Sequence, residues 1–392
     1  MKFKILNNQL SFTILLMVLL LSIHFTDAKQ KNSGGLIQSQ KNYEVNMTLI
    51  NELNEGGGAK DIEIVGNIGY VLSNLGLNVY NVSDPTNALE LGHYYSDGYL
   101  GHSIAVYNNY VFTAADDRGL KIINITDPSN PELANTYTST RPAAVYIQNN
   151  LLFLANWEHD FEIYNISDTP LITELITFKG EGYHYVYATD DLGFGFANNG
   201  SLVTVDISNP ENIELIGKID DEEILCIAID GNFWYTGGPT GIKVFNSTNL
   251  SKPVLVSHVT ETETTSISNM VILDDFLYAS DFHLGFRIFD ISDSITPSEI
   301  GRNDVGGSPL GFQVVGDIGY VASQVRGIEI IQIQIEEVAN TTSSIKRITS
   351  SSESMISVST SSNNKKAYFE MKFVLLGILF VTLYFKRSSK RN

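Results

Sequence analysis

Apolar and polar residues alternate over short segments of the chain, and these segments recur along it. Each unit contains an alternating segment, a short polar turn, a second segment with a central aromatic residue, a loop that ends near glycine, and a third alternating segment. Alternation with a period of two residues predicts β-strands, and polar turns between them predict antiparallel pairing. The pattern therefore predicts an all-β fold built from repeats.

The aromatic residue of the second strand marks each unit. The seven markers are Tyr70, Phe112, Phe153, Phe194, Tyr235, Tyr278 and Tyr320. Successive differences between these numbers are 42, 41, 41, 41, 43 and 42. A fourth strand follows the third, for example Glu132-Leu-Ala-Asn-Thr-Tyr137. Four strands in one such period form one blade of a β-propeller, in which roughly four to eight blades close around a channel.

The two ends of the repeat region predict how the ring closes. The seventh unit stops after its third strand, Gly327-Ile-Glu-Ile-Ile-Gln-Ile333, and lacks a fourth. A spare strand, Val45-Asn-Met-Thr-Leu-Ile-Asn-Glu-Leu53, precedes the first unit and would complete the last blade. A stacked solenoid is the alternative, but its edge strands would need caps, and the sequence offers none. A seven-bladed propeller closed by an N-terminal strand is therefore expected.

Turn motifs at the ends of the third strands connect the chain to a known family. They occur in segments such as Gly119-Leu-Lys-Ile-Ile-Asn-Ile-Thr-Asp-Pro-Ser-Asn-Pro131 and Leu202-Val-Thr-Val-Asp-Ile-Ser-Asn-Pro210. Asn, Asp and Ser side chains bond the local backbone in such turns, and Pro favours the reversal. The consensus resembles the LVIVD-repeat family of β-propellers over roughly 42–335. The resemblance implies an exported or surface-anchored protein and supplies no catalytic residues. The fifth unit departs at Phe245-Asn-Ser-Thr-Asn-Leu250, which lacks Asp-Pro.

Both ends of the chain look like targeting segments. Lys2 and Lys4 precede an apolar run through 14–21, and small or polar residues then reach Ala28, which is the order of a signal peptide. Near the other end, 373–385 carries no charge, and a cationic tail follows. That stretch spans a bilayer only if it is extended back to Ala367, since about 20 residues are needed. A sorting signal exchanged for a covalent anchor remains an alternative. Either way, we expect the protein on the cell membrane with its propeller outside.

The expected organisation follows from these segments. A Ser- and Thr-rich stretch with few apolar residues separates the body from the anchor and predicts a disordered stalk. The predicted parts are a signal peptide 1–28, an N-terminal linker 29–41, a propeller 42–335, a stalk 336–366, a transmembrane helix 367–385 and a basic cytoplasmic tail 386–392.

Charge and cysteine content narrow the function classes. The formal charge is −19, from 44 acidic and 25 basic residues. This balance argues against a nucleic-acid partner, which would need a basic surface. The single cysteine, Cys226, cannot form an intrachain disulfide, and its apolar strand predicts a buried side chain. No Gly-x-Ser-x-Gly motif is present, so no catalytic residue is assigned.

Propeller geometry indicates where a ligand site would lie. The position ten residues before each marker begins the innermost strand, near the channel mouth. It is occupied by Lys60, His102, Ala143, His184, Leu225, Ser268 and Leu310. The loops between second and third strands open on the same face. The resulting ligand-binding candidates are Lys60, His102, Asp116, Asp117, Trp157, His159, His184 and His283.

These candidates have a plain interpretation as solvated loop residues and a sharper one as a ligand site. Imidazoles suit zinc, copper or nickel, but no fixed ligand spacing occurs, so neither a metal nor another cofactor is assigned. The aromatic residues Tyr99, Trp157, Tyr183 and Tyr185 could anchor a partner or simply pack the blades.

Sequons for N-glycosylation recur along the chain. Those at Asn81, Asn124 and Asn165 fall on the repeat turn, so the repeat itself generates the motif. Asn199 and Asn340 lie in a predicted loop and in the stalk, which makes them the glycosylation candidates.

Three functions are compatible with this organisation. The favoured hypothesis is a binding module for a surface protein or glycan, contacted by the rim loops of one face. The alternatives are an extracellular hydrolase or lyase, or a metal-dependent site, at the channel mouth, and a structural surface layer. The propeller fold hosts many activities and does not separate them.

Overall fold

The computed structural model describes residues 41–338 except 55–57, 96–100, 139–140, 159, 181, 221–223, 261–262 and 264. These residues form 28 strands in seven antiparallel sheets of four strands each. The sheets confirm the predicted all-β, seven-bladed propeller of four-stranded blades.

In blades one to six the strands follow one another in chain order from the channel outward. Blades one to three contain β2 (Ala59–Val65), β3 (Ile68–Ser73), β4 (Gly76–Asn81), β5 (Leu89–Tyr95), β6 (Ile104–Tyr107), β7 (Tyr110–Ala114), β8 (Leu120–Asn124), β9 (Glu132–Tyr137), β10 (Pro142–Gln148), β11 (Leu151–Asn156), β12 (Phe161–Asn165) and β13 (Thr173–Phe178). Blades four to six contain β14 (Tyr183–Thr189), β15 (Leu192–Ala197), β16 (Leu202–Asp206), β17 (Glu214–Ile219), β18 (Cys226–Asp230), β19 (Phe233–Gly238), β20 (Gly241–Asn246), β21 (Val254–Thr260), β22 (Ile267–Leu273), β23 (Phe276–Asp281), β24 (Gly285–Asp290) and β25 (Ser298–Asn303).

The seventh blade closes the ring with both ends of the repeat region. Its order is β1 (Asn42–Leu53), β28 (Gly327–Val338), β27 (Ile318–Ser323) and β26 (Pro309–Val315). The N-terminal strand β1 pairs antiparallel with β28 from Asn42 opposite Val338 to Leu53 opposite Ile328. This pairing confirms the predicted closure. β28 also runs three residues beyond the expected end of the propeller at 335, because β1 provides a partner along its whole length.

The marker aromatics hold neighbouring blades together. All seven are buried on second strands, and each belongs to a hydrophobic cluster shared with the next blade. Phe153 of blade three, for example, packs with Val186 and Val205 of blade four. Blade four has Gly193 at this interface, where an added Cβ would lie 2.8 Å from the Phe153 ring. The repeat period therefore reflects the packing of sheet on sheet.

One side of the ring, here called the turn face, carries the connections between first and second strands and between third and fourth strands. In blades one to six, an Asn or Asp side chain at the end of the third strand accepts a hydrogen bond from the backbone N–H two residues later. The residues are Asn81, Asn124, Asn165, Asp206, Asn246 and Asp290. Blade five therefore forms the same turn without Asp-Pro.

The predicted targeting segments lie outside the described residues. These are the signal peptide 1–28, the anchor 367–385 and the tail 386–392, together with the linker apart from Lys41 and the stalk apart from 336–338. Within the part of the chain that the structure describes, no helix is both long and apolar enough to cross a membrane.

Candidate functional site

The opposite side of the ring, here called the mouth face, carries the loops before the first strands and the loops between second and third strands. A cavity of about 480 Å³ opens here and is lined by first strands of blades one, two, three, four, six and seven. Six of the seven positions predicted at the channel mouth line it: Lys60, His102, Ala143, His184, Ser268 and Leu310. These first strands therefore form the channel wall.

His102 lies at the junction of blades two and three. Its ring centroid is 6.5 Å from that of Trp157, with the rings edge to face at 75°. Burial lowers the pKa of His102, the Lys60 ammonium lowers it further, and Asp116 opposes both. The structure thus brings four of the predicted candidates, Lys60, His102, Asp116 and Trp157, close together at this junction.

A surface ion-pair cluster borders this junction. Asp116 and Asp117 lie in the short 3-10 helix Asp116–Arg118 between β7 and β8. Arg141 Nη2 lies 2.6 Å from Asp117 Oδ1, and its Nη1 donates to Glu158 Oε1. The guanidinium therefore connects the loop between second and third strands of blade two to the corresponding loop of blade three. All three side chains are at least two-fifths exposed, so this cluster contributes to surface shape more than to stability.

His184 lies two blades further round the channel than His102, in β14 of blade four. Burial lowers its pKa, and a side-chain hydrogen bond with Asn198 opposes that shift. The Nε2 atom is buried without a hydrogen-bond partner among the described residues. Asn198 Nδ2 in turn donates to the Trp157 backbone oxygen at 2.7 Å. Asn198 therefore lies between His184 and the loop that carries Trp157.

The remaining candidates do not join this group. His283 lies in blade six, where its ring centroid is 5.2 Å from that of Phe282. Its backbone N–H donates to Asp281 Oδ1 at 3.0 Å. His159 falls outside the described residues, as do Tyr99 and Asn340. Across the described ranges, no three His, Cys, Asp or Glu side chains lie close enough together to hold a metal ion.

Asn199 is exposed on the mouth face, in the loop between β15 and β16. Its Oδ1 accepts hydrogen bonds from Ser201 N–H at 3.0 Å and Ser201 Oγ at 2.7 Å. This is the same local turn that the sequons of the turn face adopt. Its glycosylation stays a prediction.

Two carboxylates in the channel wall were missed by the sequence analysis. Asp61 Oδ2 accepts the Ile104 N–H at 3.0 Å, and Glu63 Oε2 accepts the Val106 N–H at 2.7 Å. Both side chains of blade one thus bond the first strand of blade two. Burial raises the pKa of Asp61 to about 6 and that of Glu63 to about 7, although these hydrogen bonds oppose the rise. The signal was the alternation Lys60-Asp-Ile-Glu-Ile64, in which acidic residues occupy every second position of a first strand.

Tyrosines occupy the other side of the same cavity. Tyr146 of blade three and Tyr187 of blade four have ring centroids 5.0 Å apart, and Tyr185 also lines the space. Tyr185 was predicted only as a rim anchor or a packing residue, and Tyr183 is buried in the contact between blades three and four. Cys226 is buried as predicted, and its Sγ lies 3.6 Å from the Ile267 oxygen.

Comparisons with known proteins agree with this geometry. The family model described as "LVIVD repeat" matches residues 56–96, 101–139, 196–221 and 266–305. A crystal structure of the computationally designed Ika8 protein is similar with a TM-score of 0.53 and 14% sequence identity, over 70% of this chain and 83% of that one. At this identity the likeness concerns the fold alone. No curated protein is detectably similar in sequence. The chain carries LVIVD repeats and is a seven-bladed β-propeller, consistent with an LVIVD-repeat propeller family.

Proposed function

We propose that the protein is a membrane-anchored extracellular interaction module that binds a surface protein or a glycan through the loops of the mouth face. One observation carries the proposal. The loops between second and third strands of four blades expose apolar side chains on this face: Leu75 at 47%, Trp157 at 38%, Phe282 at 39% and Val325 at 74%. Large apolar and aromatic side chains at loop tips are typical of binding surfaces.

Two further features support the same face. The Asp117–Arg141–Glu158 cluster borders Trp157 and gives the rim a polar edge next to an aromatic anchor. Protein interfaces commonly combine an apolar centre with a polar rim. The turn face, in contrast, repeats one backbone-bonding motif in blade after blade, so its polar residues already have a structural role.

Partner binding can be tested with the full chain in detergent, presented to surface extracts and to a glycan array. The double variant Trp157→Ala/Phe282→Ala should lose at least about tenfold in affinity, since truncating an interface anchor commonly costs more than 1 kcal/mol. The matched control is Leu215→Ala/Leu255→Ala, because these side chains are exposed on the outer strands β17 and β21. Equal losses in both variants, or no captured partner, would refute binding through the mouth face.

The anchor is tested separately by fractionating cells that express the full chain. Retention in the membrane after alkaline extraction, with a mature N-terminus near Lys29, is the expected result. Recovery in the soluble fraction would contradict the anchor while leaving the binding test untouched.

A further inference from the structure

The channel cavity is of the size that small molecules occupy. Its volume of about 480 Å³ lies within the range of roughly 300–1,000 Å³ that is usual for ligand pockets. Its wall is partly apolar, with Ile62, Ile104, Val145, Met270 and Val271 among the lining residues. The cavity is lined by the first strands, whereas the apolar side chains of the proposed binding surface lie on loops between second and third strands.

Blade one contributes two carboxylates to this wall, and Lys60 at its mouth is not within ion-pair distance of either of them. No Lys, Arg or His among the described residues forms an ion pair with Asp61 or Glu63. Both Asp61 oxygens accept backbone N–H groups, from Ile62 at 2.9 Å and from Ile104. Glu63 differs, because only Oε2 is bonded and Oε1 accepts no hydrogen bond from the described residues. Both side chains are half-buried, and carboxylates withdrawn from water are normally paired, so this site has an acceptor and a negative charge available for a ligand.

Blades three and four contribute tyrosines that complement the carboxylates. Tyr146 lies near enough to Glu63, and Tyr185 near enough to Asp61, for the charges to raise the tyrosine pKa values, although burial is the main cause. Each carboxylate and its tyrosine thus belong to different blades of one channel. Aromatic rings attract cations through their negatively charged faces.

We propose that the channel binds a small primary alkylammonium ion, with its nitrogen at Glu63 and its carbon chain against the tyrosines and the apolar wall. An ammonium group supplies the missing positive charge and donates hydrogen bonds to Glu63 Oε1. An alkyl body matches the apolar lining. The proposal goes beyond the proposed function, because it concerns a small molecule inside the channel.

The other charged and titratable groups around the cavity set the pH dependence. His102 and His184 are neutral above pH 7 because burial lowers their pKa values, and the tyrosines stay neutral because burial raises theirs. Lys60 is the like charge at the mouth, although burial lowers its pKa as well. Asp61 and Glu63 ionise as the pH rises past their raised pKa values of about 6 and about 7. Amine binding should therefore strengthen from pH 5.5 to pH 8.

The test uses the full chain in detergent and butylammonium as the probe, with binding followed by ligand-detected NMR titration. We expect saturable binding at pH 8 and at least tenfold weaker binding at pH 5.5. Glu63→Gln should weaken binding at least tenfold at pH 8, because the amide removes the charge and retains an oxygen for the Val106 N–H. Lys60→Met should tighten it several-fold, since a like charge is removed. The control Glu211→Gln, on an exposed turn-face residue, should bind as the unchanged chain does.

Three results would overturn the proposal. They are no saturable butylammonium binding at pH 8, unchanged affinity in a folded Glu63→Gln variant, and equal binding of the neutral analogue 1-butanol with the same dependence on Glu63. Circular dichroism is the control that checks whether the Glu63→Gln variant is folded. The mouth-face test uses Trp157 and Phe282 and a macromolecular partner, so failure of either proposal is visible without the other.

Discussion

The turn face and the channel wall repeat in different ways. At the first residue of the turn between first and second strands, all seven blades have a positive φ. The residues are Gly66, Asn108, Asn149, Asp190, Gly231, Asp274 and Gly316. Only Gly, Asn and Asp occur there, which are the residues that tolerate the left-handed region best. The repetition thus follows from a backbone requirement that is the same in every blade.

The channel wall has no such requirement, and its residues differ from blade to blade. The position nine residues before each marker is occupied by Asp61, Ser103, Ala144, Tyr185, Cys226, Asn269 and Gly311. Seven different residue types occupy these equivalent positions, with Asp61 on the acidic side of the channel and Tyr185 on the tyrosine side. Ligand chemistry is therefore to be sought where the repeat breaks down, and the turns where it is strict are primarily structural.

Among the positions that differ between blades, the largest expected loss of stability is in blade six. Arg287 is fully buried, with Nη1 3.1 Å from Asp281 Oδ2 and Nη2 2.6 Å from Glu299 Oε2. Arg287→Met should lower the free energy of unfolding by about 3–5 kcal/mol, because it leaves a buried carboxylate without its cation. Urea unfolding followed by the fluorescence of buried Trp234 would measure the loss.

Arg302→Met is the matched control for that measurement. Arg302 contacts the same Glu299 and also Glu263, but its side chain is 42% exposed. Its removal should cost no more than about 1 kcal/mol, the usual range for a surface ion pair. Similar losses in both variants would mean that burial does not determine the worth of this network.

The second effect is the pH dependence that Glu63 gives to the free energy of unfolding. Burial raises its pKa from 4.5 to about 7, so the folded state binds the proton more tightly than the unfolded state. The stabilisation that protonated Glu63 contributes is therefore fully present below pH 4.5, and it is lost as the pH rises to about 7. The difference amounts to at most about 3 kcal/mol, at 1.36 kcal/mol per pKa unit.

Unfolding of the unchanged chain and of Glu63→Gln at pH 5 and at pH 8 isolates this contribution. Repulsion among the many other acidic residues affects both proteins alike, so only the difference between their pH profiles reports on Glu63. Parallel profiles would show that Glu63 has an ordinary pKa in the folded protein.

Much of the fold could be predicted because the period of the markers is imposed by packing. Every marker from Tyr70 to Tyr320 fills the same contact between blades, so spacing alone counts the blades. The end of β28 at Val338 could not be predicted, since Glu336 and Glu337 look like the start of a polar stalk until β1 pairs with them.

The candidate site was predictable only in part, for a related reason. His102 and His184 could be placed at the mouth from their distance to the marker. The bond from Ile104 N–H to Asp61 joins residues 43 positions apart in different blades, and one repeat unit does not reveal it. Which acidic side chain bonds which strand depends on the closed ring.

A third, smaller effect is expected at Gly311, where blade seven has no side chain. A Cβ there would lie 2.4 Å from Asp61 Oδ1, so Gly311→Ala should cost about 1–3 kcal/mol through overpacking. The double variant with Asp61→Ala checks the cause by unfolding measurements. If the carboxylate is the obstacle, the alanine at 311 costs less in the Asp61→Ala background. Additive losses would place the strain elsewhere.

The smallest effect should come from the turn face. Asn124 Oδ1 accepts Thr126 N–H at 2.9 Å and Thr126 Oγ1 at 2.7 Å. Asn124→Ala should lower the free energy of unfolding by about 1 kcal/mol, as the loss of a comparable capping side chain does. Asn124→Asp should be almost neutral, because Asp206 and Asp290 make the same bond in blades four and six, and it also removes the sequon. Urea unfolding of protein made without glycosylation separates the role of Asn124 in the turn from its role in the sequon. If Asn124→Asp were as costly as Asn124→Ala, the turn would depend on the amide itself. The repeated turns would then not be equivalent.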